Sequence, residues 1–292
     1  MSSNERLDGG DSRQLDKLTQ RVKSLEAENA RLTKEVEAVN RDRVEYLQNV
    51  SHQLVAPLNA IKWHIENLTE GRLGVERAKK VLRSIYSQST IAVHLAKNFA
   101  LMSNLDADHA LSALKEPLQP VKLFALLVNL ADDFQPLGWD RGLQIGVSSD
   151  GFEDAPEALV MKPLISQVFS NIIENAVKYS VPNSSIRIEG SYDNDTDSVA
   201  IRVISRGIPF SPESQSRVFE RGYRSPEAKS QYPAGTGFGL YIARRIVEIH
   251  QGEISAAGDA EGRAIFTVTL SVRGLEGKAR QRDPKDRTLD RR

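Results

Sequence analysis

Between Leu15 and Leu68 apolar side chains recur at spacings of three and four, a period that makes a long amphipathic helix burying its stripe against another helix. The stripe runs through Leu15, Leu18, Val22, Leu25, Leu32, Val36, Val39, Tyr46 and Val50, then through Leu54, Leu58, Ile61, Ile65 and Leu68. Its first part, sustained for about five heptads, reads as a coiled-coil seam. Asn29 at an inner position favours a parallel two-stranded coil. The helix is expected over 13–70, following a disordered stretch at 1–12, with the coil occupying 13–50.

Inside this helix lies Ser51-His52-Gln53-Leu54-Val55-Ala56-Pro57-Leu58. At 100° per residue His52 lies about 200° from both Val50 and Leu54, so it points away from the seam. Pro57 brings no backbone donor and should loosen the helix just beyond it. An exposed imidazole beside a weakened turn is available for chemistry, although most such histidines are simply solvated. Trp63, about 16 Å further down the same face, is expected to pack on the next helix, with a partner-docking role as the alternative. His64 lies near the stripe and reads as structural.

Gly71-Arg72-Leu73-Gly74 predicts a turn, and Val81, Leu82, Ile85, Ala92, Leu95, Phe99 and Met102 give a second amphipathic helix. The pair forms a helical hairpin over 46–106, and two copies would make a four-helix bundle. A linker follows at 107–119. From 120 to 273 helices (about 121–134, 163–179 and 238–251) alternate with strands near 143–148, 185–190, 199–205, 253–257 and 263–271. The fold class is therefore multidomain: an all-α coiled coil and dimeric four-helix bundle, then an α+β two-layer sandwich with helices on one face of a sheet. The charge-rich, apolar-poor tail at 274–292 is expected to be disordered.

Lys+Arg and Asp+Glu both number 39, which leaves no basic field for nucleic acid. The chain has no cysteine, excluding disulfides and thiolate metal sites. No apolar run approaches membrane length and 1–10 is polar, so neither a span nor a signal peptide is expected. The five histidines are too scattered for a helical zinc motif.

Three patches carry chemistry. Asn171, Asn175 and Lys178 fall at i, i+4 and i+7 on one helical face, where amide oxygens suit Mg²⁺ and a lysine suits phosphate. Gly235-Thr236-Gly237-Phe238-Gly239-Leu240 precedes a helix, so its backbone N–H groups and the helix N-terminus can approach phosphates. It has neither the ending of a P-loop nor the spacing of a dinucleotide fold. Ile204-Ser205-Arg206-Gly207-Ile208-Pro209 sits at a strand end and is followed by Arg217-Val218-Phe219-Glu220-Arg221-Gly222-Tyr223-Arg224. Each patch alone is equally a solvated face, a connector or a turn.

Together, in this order and spacing, they resemble a sensor histidine kinase of bacterial two-component systems over about 46–272. The match is SHQLVAPL for the phosphoacceptor motif, NIIENAVKYS for the N motif, FERGYR for the F motif and GTGFGL for the last glycine loop. The resemblance implies a catalytic ATP-binding domain of the GHKL type over 120–273, similar to the ATPase domain of type II topoisomerases. It implies that His52 takes the γ-phosphoryl group of ATP, with Gln53 and Asn175 as its catalytic companions. Asn171 and Asn175 would hold Mg²⁺, Lys178 and Arg224 would meet phosphates, and Tyr179 would lie near the nucleotide. Ser205 and Gly207 would face adenine. Gly235, Gly237 and Gly239 would hinge a lid, with Thr236, Phe238 and Leu240 in the same cofactor-binding loop. The implied partners are a second copy of the chain, a response regulator receiver domain and an upstream sensor domain or protein, with a cytoplasmic location.

Three departures carry further implications. Gln53 replaces the usual acidic neighbour of the histidine and cannot accept a proton, which implies slower autophosphorylation. Ala56 implies weak phosphatase activity. Ser205 stands where the family has aspartate, which implies weaker adenine binding through a hydroxyl acceptor. Asn171 stands where hydrolytic relatives carry a glutamate base, so ATP is kept for the histidine.

Overall fold

The computed structural model describes residues 5–69, 73–105, 116–208, 210–233, 235–259 and 261–274. The chain divides into two compact units, Met1–Ser51 and His52–Arg292.

The first unit is helical. Helix α1 (Glu5–Thr69) begins at Glu5 and not at 13, because adding residues to an existing helix is far easier than starting one. The expected disorder over 5–12 is thereby corrected to helix. Along the stripe Leu18, Val22, Leu25, Leu32 and Val36 are all about half exposed in the single chain. The side chains of Leu15, Val39 and Tyr46 lie outside the described residues.

In the second unit α1 continues to Thr69 and helix α2 follows (Val75–Leu105). Half of the expected turn, Gly71 and Arg72, lies outside the described residues, as do 107–115 of the expected linker and the tail beyond 274. Ser84 Oγ and His64 Nε2, 2.7 Å apart, tie the two helices together, so His64 is structural as expected. Pro57 sits within continuous helix and is buried; it has no N–H for the carbonyl of Gln53 four residues earlier. Trp63, expected to pack on α2, stands largely in the open. It is 60% exposed, with its ring tilted against His64.

The α+β domain opens with β1 (Gln119–Val121), a strand not expected at the join of linker and domain. Helix α3 (Leu123–Trp139) and β2 (Gln144–Val147) follow. Then come β3 (Ala158–Val160), α4 (Lys162–Tyr179), β4 (Ser185–Asp193) and β5 (Ser198–Arg206). Two short helices, α5 (Pro212–Arg217) and α6 (Pro226–Gln231), precede α7 (Gly239–Ile249), β6 (Glu253–Gly258) and β7 (Arg263–Ser271). The main sheet has the order β2-β4-β5-β7-β6, parallel at β2–β4 and antiparallel elsewhere; β1 and β3 pair separately.

Alternation sets the sheet's inner face. Ala264, Phe266, Val268 and Leu270 of β7 and Val199, Ile201 and Val203 of β5 are buried, and every second residue between them is less so. Helix α4 is buried along most of its length, from Leu164 to Val177, and lies against α3 and α7. The C-terminal carbonyls of α4 have no helical partners of their own. Arg141 satisfies three of them, donating to Val177 O at 2.6 Å, to Lys178 O at 2.9 Å and to Ser180 O.

His250, at the end of α7, is buried and neutral. Its Nδ1–H donates to Ile246 O at 2.8 Å, and its Nε2 accepts the Met161 N–H at 3.1 Å. Burial holds its pKa below the ordinary histidine value, only partly opposed by the bond to Ile246. The unfolded chain therefore binds this proton more readily. The stabilisation is full above about pH 6.5 and is lost as pH falls through the lower folded value. Thermal melts from pH 7 to 5 should show the parent losing stability more steeply than a His250→Gln variant. Parallel curves would remove His250 as the cause.

Candidate functional site

The largest set of chemically capable residues surrounds one cavity. Helix α4 supplies Asn171, Glu174, Asn175, Lys178 and Tyr179; the end of β5 supplies Ser205 and Gly207. The 223–240 segment supplies Tyr223, Arg224, Gly235, Thr236, Gly237, Gly239 and Leu240. The helical hairpin completes the wall with Gln53, Leu95 and Asn98.

Backbone approach explains two of the glycines. A Cβ on Gly207 would stand 2.5 Å from Tyr179 O, because the β5 exit runs directly over the C-terminus of α4. Val181 N–H donates to Arg206 O at 2.7 Å in the same crossing. Gly237 has φ +74°, and its Cβ would meet the Gly222 and Tyr223 backbone at 2.7–2.9 Å. A side chain at either place would push the wall apart.

Lys178 lies against two phenol rings, 5.7 Å from the Tyr179 centroid and 5.6 Å from that of Tyr232. Burial pushes its pKa down from the usual lysine range; Glu174 pulls it back up and Arg224 lowers it further. Burial raises the Tyr179 phenol, with Arg224 opposing. Burial alone would raise Glu174, but the charge and hydrogen bond of His94, with help from Lys178, hold it below the usual glutamate value. An incoming phosphate would favour the charged form of Lys178.

Arg224, implied to meet phosphates, lines the cavity with its Nε buried and unpartnered, and its terminal nitrogens also hold the neighbouring chain. It donates to the carbonyls of Ala228, Pro233 and Gly235, each at 2.9 Å, and to that of Tyr232. Its guanidinium thus ends α6 and gathers the loop that follows. A Cβ on Gly235 would come within 2.8 Å of that guanidinium.

Of the other expected residues, His52 is exposed and is not on the cavity wall, while its neighbour Gln53 is. Phe238 is also off the wall; it is the N-cap residue of α7, with the Arg221 guanidinium 5.8 Å from its ring centroid. Ser205 is buried, paired in register with Ala264 of β7. Asn171 is 1% exposed; its Oδ1 accepts from Asn98 Nδ2 at 2.8 Å, and its Nδ2 is buried without a partner. Glu174, Leu95 and Asn98 were not singled out from the sequence. The i, i+4 placement of His94 and Asn98 on α2 was the signal available.

Among the described residues no cluster of three or more His, Cys, Asp or Glu could hold a metal ion. A cation here would rest on amide oxygens and, as Mg²⁺ usually does, on a ligand's own phosphates and on water. Asn175, half-buried on the wall, fits that role directly. The unpartnered Nδ2 of Asn171 suits an anionic oxygen. The site fits a magnesium–polyphosphate ligand.

Residues 162–274 match the family of histidine kinase-, DNA gyrase B- and HSP90-like ATPases. Histidine protein kinase SaeS of Staphylococcus epidermidis is 26% identical over 235 residues, covering 79% of this chain and 64% of that protein. SaeS of Staphylococcus aureus is 25% identical over 260 residues, 87% of this chain and 70% of that protein. The chain thus spans just under two thirds of the first of these relatives. Full-length ShkA, solved in complex with AMPPNP, superposes with a TM-score of 0.52 at 23% identity, over 78% of this chain and 45% of that one. That likeness is one of fold: a helical region followed by an α/β sandwich with a mixed sheet. Among the described residues no helix is long and apolar enough to cross a membrane.

Proposed function

We propose that this chain, a sensor histidine kinase with a GHKL-type ATPase domain, transfers the γ-phosphoryl group of ATP to its own His52 and passes it on to an aspartate of a response regulator receiver domain. The observation that carries the reading is the shared wall: Gln53, next to His52, faces the same cavity as Asn175, Lys178 and the glycine loop.

Phosphoryl transfer asks mainly for positioning and charge neutralisation. Bound Mg²⁺, held by the carboxamides of Asn175 and Asn171 and by the phosphates, would supply part of that neutralisation. Lys178 meets phosphate as a point charge, and the spare Nδ2–H of Asn171 donates to a phosphate oxygen. The hydroxyl of Ser205 accepts from the adenine amino group, Gly207 lets the base lie close, and Tyr179 walls the nucleotide. The 235–240 loop closes over the phosphates. The unprotonated ring nitrogen of His52 attacks phosphorus, the bond to the bridging oxygen breaks, and ADP leaves. Gln53 orients the ring, and the remaining ring proton goes to solvent.

The half-exposed apolar seam of α1 supports a homodimer through a coiled coil and a four-helix bundle. An upstream sensor domain or protein would act on that coil, and the need for ATP favours a cytoplasmic location. Incubation with Mg²⁺ and γ-labelled ATP should give an acid-labile, base-stable label on the protein. ATP bound without any label would instead make the chain a nucleotide-binding signalling scaffold, and no ATP binding would sink both readings.

A further inference from the structure

Helix α2 meets the ATPase domain through a buried polar stripe. His94 is 4% exposed, and its Nε2 lies 2.7 Å from Glu174 Oε2 on α4. Its Nδ1 lies 3.0 Å from Gln167 Nε2. One turn further along α2, Asn98 Oδ1 accepts from Gln167 Nε2 at 2.9 Å, and Asn98 Nδ2 donates to Asn171 Oδ1. His94 and Asn98 are i, i+4 on α2, while Gln167, Asn171 and Glu174 are i, i+4 and i+7 on α4. Two helical faces are therefore matched group for group.

The flanks continue the contact. Tyr86 Oη donates to Asp133 Oδ1 at 3.2 Å, the Arg83 guanidinium lies 5.0 Å over the Trp139 ring, and the His94 ring stands edge-on to Phe134. A buried hydrogen-bonded pair adds little net stability over an apolar contact, but it tolerates only one register. In the register seen, Gln53 and Asn98 stand on the cavity wall together with Asn171 and Lys178.

We propose that this stripe is a docking key: His94, with Asn98, is a positioning residue that sets the phosphoacceptor hairpin in register with the ATPase domain for transfer to His52. It rests on the kinase reading above. Removing the key leaves the nucleotide bound and the acceptor misplaced, and a displacement of about 1 Å can cost on the order of 100-fold in rate.

The test uses the full chain and its His94→Ala and His94→Gln variants. Single-turnover autophosphorylation should fall at least tenfold in His94→Ala, with ATP affinity within about twofold and a cooperative melt retained. His94→Gln, which can still donate to Glu174, should recover much of the rate. The docking itself is read without activity. The natural chain lacks cysteine, so Tyr86→Cys and Asp133→Cys can be introduced as a reporter pair. A short bismaleimide, which spans the length of the tyrosine side chain that the pair replaces, should join the two cysteines readily in the parent and poorly with His94→Ala. An unchanged rate, an increased rate (the contact would then be a brake), an equal loss of ATP affinity, or a crosslink indifferent to His94 would each overturn the key. A parent that never labels would instead overturn the kinase reading, whatever the crosslink does.

Discussion

On the proposed kinase reading, replacing His52 with alanine should abolish the acid-labile label on the chain while ATP affinity and melting temperature stay where they are. The expected effect is total because the proposed acceptor is removed, not slowed, and no neighbouring group on that helical turn is nucleophilic at neutral pH. The rest of the molecule does not notice. His52 is exposed and stands off the cavity wall, and alanine is the better helix former in mid-helix. Labelling with γ-labelled ATP, ATP titration and a thermal melt on parent and variant give the three readouts. Label that survives in His52→Ala would move the acceptor elsewhere, and His64 and His94 are poor alternatives because both rings are already tied into side-chain contacts.

The second large effect comes from a single methyl group. Gly207→Ala puts a carbon 2.5 Å from the carbonyl oxygen of Tyr179, and the obstacle is backbone at the end of a buried helix, which cannot swing aside. The β5 exit must lift away from α4, carrying Ser205 on one side of the cavity from Lys178 and Tyr179 on the other. Overpacking of this kind costs about 1–3 kcal/mol of stability. If only about 1.4 kcal/mol of it falls on the bound state, ATP affinity drops tenfold. Gly146→Ala is the control, since nothing lies within 4 Å of its added carbon. Isothermal titration with ATP and a melt on both variants check the claim. Equal affinities in the two would show that the close crossing does not shape the site.

The elements that patterning could reveal are those whose burial is one-sided and long. Helix α4 and strands β4 to β7 were found within a few residues because their apolar spacing persists over whole elements. Strands β1 and β3 are three residues each, too short for alternation to be counted. Helices α5 and α6 carry no apolar stripe to speak of, yet each opens on Ser-Pro-Glu, a capping serine whose oxygen accepts from the backbone N–H of Ser214 or Ala228. That repeated tripeptide was the legible sign. For the site, the Asn171–Tyr179 face and the glycine loop could be read because each lies on one local segment. The partners of Asn171 and Glu174 come from α2, 73 and 80 residues away in the chain, and the i, i+4 spacing of His94 and Asn98 shows only that they share a helical face, not which face they meet. Arg224 lies on the cavity wall, where its charge suggests phosphate, but that its terminal nitrogens also bind four carbonyls of the chain that follows is set by the fold and leaves no mark in the sequence.

Those four carbonyls turn the Arg224 side chain into a buckle. Ala228, Tyr232, Pro233 and Gly235 are all fastened to one guanidinium, which restricts the backbone conformations open to them. A ligand entering beneath a pre-fastened loop spends less of its binding free energy on ordering.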